Sequence, residues 1–283
     1  MDWRPRLILL LLAVSLSGCR LMEELGIALG QDLEVVKLGK VRSAKLREPS
    51  GLAASQRYRG VYWTHNDSDH PPELFAIDSL GTVLKVFRVS GAKNEDWEDL
   101  TLDPDGNLYI ADTGDNDGVR NSVVVYRLRE PDPFGVDTVV TAEDSLRLRY
   151  PSGVHYNCEA VFWKGGRLYL LTKTASFRDS TVCFSVDVGK TGVGVVELVR
   201  EGARSDVNLV TAAEYSPAKR RLAVLSYTQL IILGPEVDPF PYARKRTQAG
   251  ISLGQCEGVC WNGSNLMVVN EAGEIFRISG FAL

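Results

Sequence analysis

The sequence predicts an all-β fold, a five-bladed β-propeller closed by its N-terminal strand. Three observations lead there. A two-part phrase recurs five times at a spacing of about 50 residues, every recurrence breaks into short strands bounded by turn residues, and a lone strand-like run precedes the first recurrence.

The first half of the phrase reads "SGLAAS" from Ser50, "EDLTLD" from Glu98, "EAVFW" from Glu159, "TAAEYS" from Thr211 and "EGVCW" from Glu257. The second half reads "VYWTHND" from Val61, "LYIADTG" from Leu108, "LYLLTKT" from Leu168, "LAVLSYT" from Leu222 and "LMVVNEA" from Leu266. A third run follows in each unit, at Leu74, Val123, Val182, Leu230 and Glu274. These runs are rich in Val, Leu, Ile, Tyr and Phe and stop at Gly, Pro, Asp or Asn, which marks short strands. "DPDGN" (Asp103 to Asn107) and "KGG" (Lys164 to Gly166) carry the residues of hairpin turns between first and second strands. No segment beyond the N-terminal apolar run keeps a helical period.

Fourth strands are visible as "VLKVFRV" at Val83 and "SLRLRY" at Ser145, but the fifth unit reaches Leu283 with only three. "DLEVVKL" (Asp32 to Leu38) stands unpaired ahead of the first unit. Pairing residues 33–38 with the last unit near Ile275 to Ile278 closes the ring and removes two open edges. Six blades is the alternative, and it requires one blade too degenerate to recognise.

The start of the chain, "MDWRPRLILLLLAVSLSGC", combines Arg4 and Arg6, an apolar run from Leu7 to Val14, and small residues ahead of a cysteine. That is the pattern of a signal peptide over residues 1–18, with an apolar run too short to span a bilayer. Leu16-Ser17-Gly18-Cys19 resembles a bacterial lipoprotein box. Cys19 is therefore expected to be lipidated, with residues 19–32 as a tether and residues 33–283 as a single propeller domain. Arg20, where an inner-membrane retention signal would place aspartate, favours the outer membrane of a bacterial envelope.

Removing residues 1–18 takes Arg4, Arg6 and Asp2 from 32 basic and 36 acidic residues and leaves a net charge of −5. The basic residues are scattered along the chain, so nucleic acid is not an expected partner. The expected partners are the membrane, through the lipid, and a small molecule or envelope protein. Cys158, Cys183, Cys256 and Cys260 are expected as buried free thiols. Cys256 and Cys260 stand about 13 Å apart on one strand and cannot bridge, no zinc spacing accompanies them, and a Cys158–Cys256 bridge is the alternative.

Aligning the first strands on Leu52, Leu100, Val161, Ala213 and Val259 brings Ser50, Glu98, Glu159, Thr211 and Glu257 into one tier. Two residues earlier lie Glu48, Asp96, Asn157, Leu209 and Gln255. First strands are innermost and side chains alternate, so both tiers should meet near one mouth of the axial channel. Second strands end at the same mouth. Crowded carboxylates raise one another's pKa unless something neutralises them.

Glu98, Glu159, Glu257, Asp96, Glu48 and Asp112 are thus candidate ligands for a hard cation, Ca²⁺ first and Mg²⁺ second. Asn66, Asp67, Asp115, Asn116, Lys173, Tyr227, Asn270 and Glu271 are candidate ligand-binding residues, and His65 is a candidate general base. A polar tunnel lining balanced by Lys173 and water is the alternative. Glu214 falls out of register and is expected to face elsewhere. "DTGDNDG" (Asp112 to Gly118) has the composition of a calcium loop without EF-hand spacing, and no G-x-S-x-G, phosphate-cradling glycine loop or H-E-x-x-H is present.

"WTHNDSD", "DWEDLTLDPDGNLYIADTGDN", "NCEAVFW" with "LYLLTKT", "VTAAEYSP" and "QCEGVCW" together resemble a widespread group of bacterial exported propeller proteins. That group is more distantly similar to the SdiA-regulated and esterase-like phytase propellers. The likeness covers nearly the whole chain after the signal, with departures at Asp69, where glycine is usual, and at Cys158 and Cys256. It implies a propeller in the cell envelope and no particular activity. The expected function is a lipid-anchored propeller that binds a ligand or partner at its acidic mouth. The alternative is a cation-dependent hydrolase of phosphoester or lactone bonds.

Overall fold

Strand-forming runs cut by Gly, Asp and Pro turns fold into five antiparallel sheets, each built from the repeated phrase. The computed structural model describes residues 28–29, 33–174, 176, 178–190, 194–235, 240 and 243–281. The expected signal peptide and Cys19 lie outside the described residues, as does the tether apart from Ala28 and Leu29.

Blade 1 runs outward from the axis through Pro49–Ala54, Tyr62–Asn66, Glu73–Ile77 and Val83–Ser90. Blade 2 comprises Trp97–Leu102, Asn107–Asp112, Val123–Arg129 and Asp144–Arg149, and blade 3 Cys158–Lys164, Arg167–Thr172, Thr181–Asp187 and Val199–Arg204. Blade 4 comprises Val210–Ser216, Arg221–Ser226, Gln229–Leu233 and Lys245–Gly250. Blade 5 holds Cys256–Asn262, Asn265–Asn270 and Glu274–Ser279, and its outer strand is the N-terminal Glu34–Lys40.

That closure is antiparallel, with Val35 opposite Ile278 and Lys37 opposite Phe276. The ring therefore has five blades and closes as the unpaired N-terminal run predicts. Short parallel strands cover further edges: Val139–Thr141 on blade 1, Val195–Glu197 on blade 2 and Ala28–Leu29 on blade 4. Covering an edge satisfies its open backbone groups.

The middle strands are apolar throughout because both of their faces are buried. Leu168 and Leu170 pack into the cluster between blades 2 and 3, while Tyr169 and Leu171 pack into the one between blades 3 and 4. Fully buried Trp63, Trp97, Phe162 and Phe184 anchor these layers, each contributing about 1.5–3 kcal/mol by leaving water. All four described cysteines are buried free thiols.

Among the described residues, three other than glycine hold left-handed backbone: Asp69 at φ 62°, Leu209 at 50° and Arg220 at 53°. The first accounts for the glycine expected at Asp69, since Asp is among the few L residues that tolerate this region.

Candidate functional site

The repeated glutamate sits at a β-bulge. In blade 2 Trp97 pairs with Asp112 and Asp99 with Ala111, which leaves Glu98 as the extra residue. Glu159, Thr211 and Glu257 occupy the same bulge in blades 3, 4 and 5. In blade 1 the irregularity comes later, between Ser50 and Ala53. A bulge breaks the two-residue alternation and re-aims a side chain, so two successive residues turn inward instead of one.

The second of them closes the axis. Asp99 Oδ2 accepts the amide of Val161 from blade 3 at 3.0 Å and that of Ala213 from blade 4 at 3.3 Å, and Oδ1 accepts from Leu100. Burial drives its carboxyl well above the ordinary range despite those bonds. Sequence reasoning missed Asp99. The signal was present: its equivalents in the other blades are Gly51, Ala160, Ala212 and Gly258, four small residues around one acid.

At the mouth, Asp67, Asp96 and Glu98 bring one carboxylate oxygen each within 4.8 Å of one another. Glu98 is 4 % exposed, and no described residue donates a hydrogen bond to its carboxylate. Gly114 makes room for the group, because a Cβ there would lie 2.2 Å from both Asp96 Oδ2 and Glu98 Oε1.

Burial, then Asp67 and Glu159, push Asp96 up to about 7. Burial followed by Glu159, Asp67 and Asp96 raises Glu98 well above the carboxylate range. Glu257 rises to about 8 through burial and then Glu159. The basic groups nearby are committed elsewhere. Lys173 Nζ donates to Glu159 at 2.8 Å and lies 4.9 Å from the Tyr227 ring centroid. Burial disfavours its ammonium, yet Glu159 and Tyr227 hold its pKa above the usual lysine value. Arg120 contacts Asp112 at 2.9 Å and Glu95 at 3.3 Å.

Of the residues expected to bind metal, Asp96 and Glu98 converge, joined by Asp67 from the expected ligand-binding set. Glu159 pairs with Lys173 and accepts from Asn157 Nδ2 at 2.8 Å, while Glu257 lies near enough for Glu159 and Asp67 to raise its pKa. Glu48 stands at the rim, 3.7 Å from His70. Asp112 is brought into a different role: its oxygens accept the amides of Asp96 and Glu95.

Asp112 shares that role with the other second-strand ends. Asn66 Oδ1 accepts from Arg47 and Glu48, Thr172 Oγ1 from Val182, Ser226 Oγ from Gln229, and Asn270 Oδ1 from Glu274. One polar position per blade thus ties down mouth loops. Asp115 does likewise for Val119 and Arg120, and Asn116 accepts from Asn157. Glu271 is exposed and donates its amide to Gln255. His65 is fully buried with its ring edge-on to Trp97 and its pKa lowered to about 4 by burial. Its neutral imidazole is sealed below the mouth. Glu214, out of register with the glutamates of the bulge, uses its carboxylate to accept the amide of Trp261 from blade 5, and its charge acts on Asp99.

No protein-family model matches the chain, and no curated protein matches it in sequence. Solved structures do. The PQQ-bound form of aldose sugar dehydrogenase from Streptomyces coelicolor aligns at TM-score 0.50 and 12 % identity over 89 % of this chain and 99 % of that one. A nidogen/laminin complex aligns at TM-score 0.46 and 13 % identity over 84 % of each chain. A catalytically inactive virginiamycin B lyase from Staphylococcus aureus with quinupristin aligns at TM-score 0.44 and 11 % identity over 88 % of this chain and 99 % of the lyase. The likeness is one of fold, a β-propeller.

Proposed function

We propose that this chain is a binding propeller of the bacterial envelope, anchored through Cys19 in the outer membrane, whose acidic mouth takes up a divalent cation and through it a ligand or partner. The observation that carries the cation reading is the group Asp67, Asp96 and Glu98, within 4.8 Å of one another, with Glu98 buried and unpartnered among the described residues. Hard oxygen donors of net negative charge suit Ca²⁺ before Mg²⁺. The envelope address is supported by the N-terminal pattern and by the resemblance to exported propellers.

Calcium at about 100 times its dissociation constant should stabilise the fold by about 2.7 kcal/mol, and Glu98→Gln should remove most of that response. A melting curve unchanged by calcium, magnesium and EDTA would leave the carboxylates as mouth lining.

A cation-dependent hydrolase of phosphoester or lactone bonds is the second reading. It is favoured by Asp96 near 7 and Glu257 near 8, values suited to proton transfer. Hydrolysis of model phosphoesters or lactones that disappears in Asp96→Asn supports it, and inactivity of the calcium-loaded protein on both classes rejects it.

A further inference from the structure

We propose that the outer edge of blade 5 takes up an extended, acidic segment of a partner protein as a further parallel strand. The inference concerns the rim of the ring and rests neither on the cation nor on the lipid anchor.

One pattern runs around most of the rim. The link between the third and fourth strands of a blade reaches back to the outer strand of the blade before it. Val139–Thr141, from the link in blade 2, pairs in parallel with the outer strand of blade 1, and Val195–Glu197, from the link in blade 3, does the same on blade 2. The link in blade 4 meets the end of the blade 3 outer strand, where Arg204 donates to the carbonyls of Phe240 and Ala243. Ala28–Leu29, ahead of the blade 5 outer strand, pairs in parallel with blade 4.

Blade 1 departs from the pattern. Its link is the turn Asp78–Thr82, closed by hydrogen bonds from the Asp78 amide to Thr82 and from the Gly81 amide to Asp78. This turn packs on the end of the blade 5 outer strand, since a Cβ on Gly39 would stand 2.0 Å from the Leu80 carbonyl oxygen, but it supplies no strand. Among the described residues Glu34–Lys40 therefore pairs with Glu274–Ser279 alone. The backbone groups of its other edge are open, and an open edge is a template for another chain.

Blade 2 shows what such a strand would carry. There Val195, Val196 and Glu197 stand opposite Arg147, Leu148 and Arg149, the end of the outer strand, and Glu197 reaches Arg149 at 3.1 Å. The blade 5 outer strand also ends on a base, Lys40, with Arg42 two residues on. Both line a groove of about 480 Å³ together with Leu80, Thr82 and Val83, and none of its lining residues is acidic. The carboxylates nearby are engaged. Glu274 pairs with Lys37 and lies in the field of Lys40 as well. Glu34 accepts from Ser279 Oγ at 2.9 Å, and Asp78 accepts the amides of Leu80 and Thr82. Lysine on an open edge discourages indiscriminate pairing. An acid at the end of the incoming strand, placed as Glu197 is in blade 2, removes that obstacle.

The probe is a tetramethylrhodamine-labelled, C-terminally amidated peptide Gly-Val-Val-Glu-Leu, the stretch Gly194–Leu198 that serves blade 2. Titrated with the full chain in detergent and followed by fluorescence anisotropy, it should bind saturably. Glu197→Gln in the peptide should weaken binding about fivefold. Lys40→Gln with Arg42→Gln in the protein should weaken it about as much, without lowering the melting temperature. Proline in place of both valines should abolish binding, because proline donates no ladder hydrogen bond. No binding, equal binding of the Glu and Gln peptides, or undiminished binding by the Lys40→Gln, Arg42→Gln variant would overturn the proposal. So would a dimer of the chain that the same variant dissociates, which would assign the edge to a second copy.

Discussion

Glu257→Gln should stabilise the fold, and the gain should grow with pH. Glu257 is 7 % exposed, and burial followed by the Glu159 carboxylate moves its pKa from 4.5 to about 8. Between those values the native state keeps a proton that the unfolded chain has released. The group's contribution to stability is thus complete below its unfolded pKa and is lost as pH rises through the folded one. Each pH unit inside that window costs about 1.4 kcal/mol, which at pH 7 amounts to about 3 kcal/mol for the wild type. A neutral amide of the same shape avoids that cost. Water at the mouth screens part of it, leaving a gain of about 2 kcal/mol and a rise of about 4–8 °C in melting temperature for a chain of this size. Melting scans from about pH 5 to about pH 7.5 measure the difference, which should be near zero at the acid end. A gain independent of pH, or a variant less stable than wild type at the upper end, would refute the reasoning.

Deleting residues 28–40 should lower the melting temperature by more than about 10 °C or abolish cooperative unfolding, because it bares the Glu274–Ser279 edge and reopens the ring; unchanged melting would reject closure as a stabilising device. Asp99→Ala strands the amides of Leu100, Val161 and Ala213 at about 1–3 kcal/mol each, and Asp99→Asn should cost less in urea titrations because its amide oxygen still accepts. Gly114→Ala places a Cβ 2.2 Å from Asp96 Oδ2 and Glu98 Oε1; calcium should then fail to raise its melting temperature. Cys19→Ala should move the full chain from the detergent phase to the aqueous phase or leave it unprocessed.

The fold was legible because both levels of its pattern are local. Five phrases fix five blades, and "DLEVVKL" without a partner fixes the closure; the hairpins at Asp103–Asn107 and Lys164–Gly166 also fall where turn chemistry puts them. The site was legible only in part. Matching Glu98, Glu159 and Glu257 across the phrases located the mouth, but strict alternation cannot show that each occupies a bulge. Which acids converge depends on where salt partners stand. Arg120 lies eight residues beyond Asp112 and diverts it, and Lys173 returns from the second strand of blade 3 to take Glu159. The polar ends of the second strands carry a role the sequence does not display, since Asn66 Oδ1 accepts the amide of Arg47 from the segment before the first blade and Asn270 Oδ1 that of Glu274 at the start of the next strand.

Closure of the axis decides what kind of site the mouth is. Asp99 reaches from blade 2 to the amides of blades 3 and 4, and a Cβ on Gly258 would stand 2.7 Å from the backbone of Gly51. Ser50 Oγ donates to the Glu98 carbonyl and Thr211 Oγ1 to that of Cys256, each tying one blade to the next. With five blades the inner strands come close enough that one carboxyl on blade 2 accepts amides from blades 3 and 4 at once. The acidic group stands next to that tie, since Glu98 directly precedes Asp99 on the innermost strand of blade 2. Under the proposed cation reading, Asp67 and Asp96, both part-exposed beside the buried Glu98, mark the side from which an ion would reach the group.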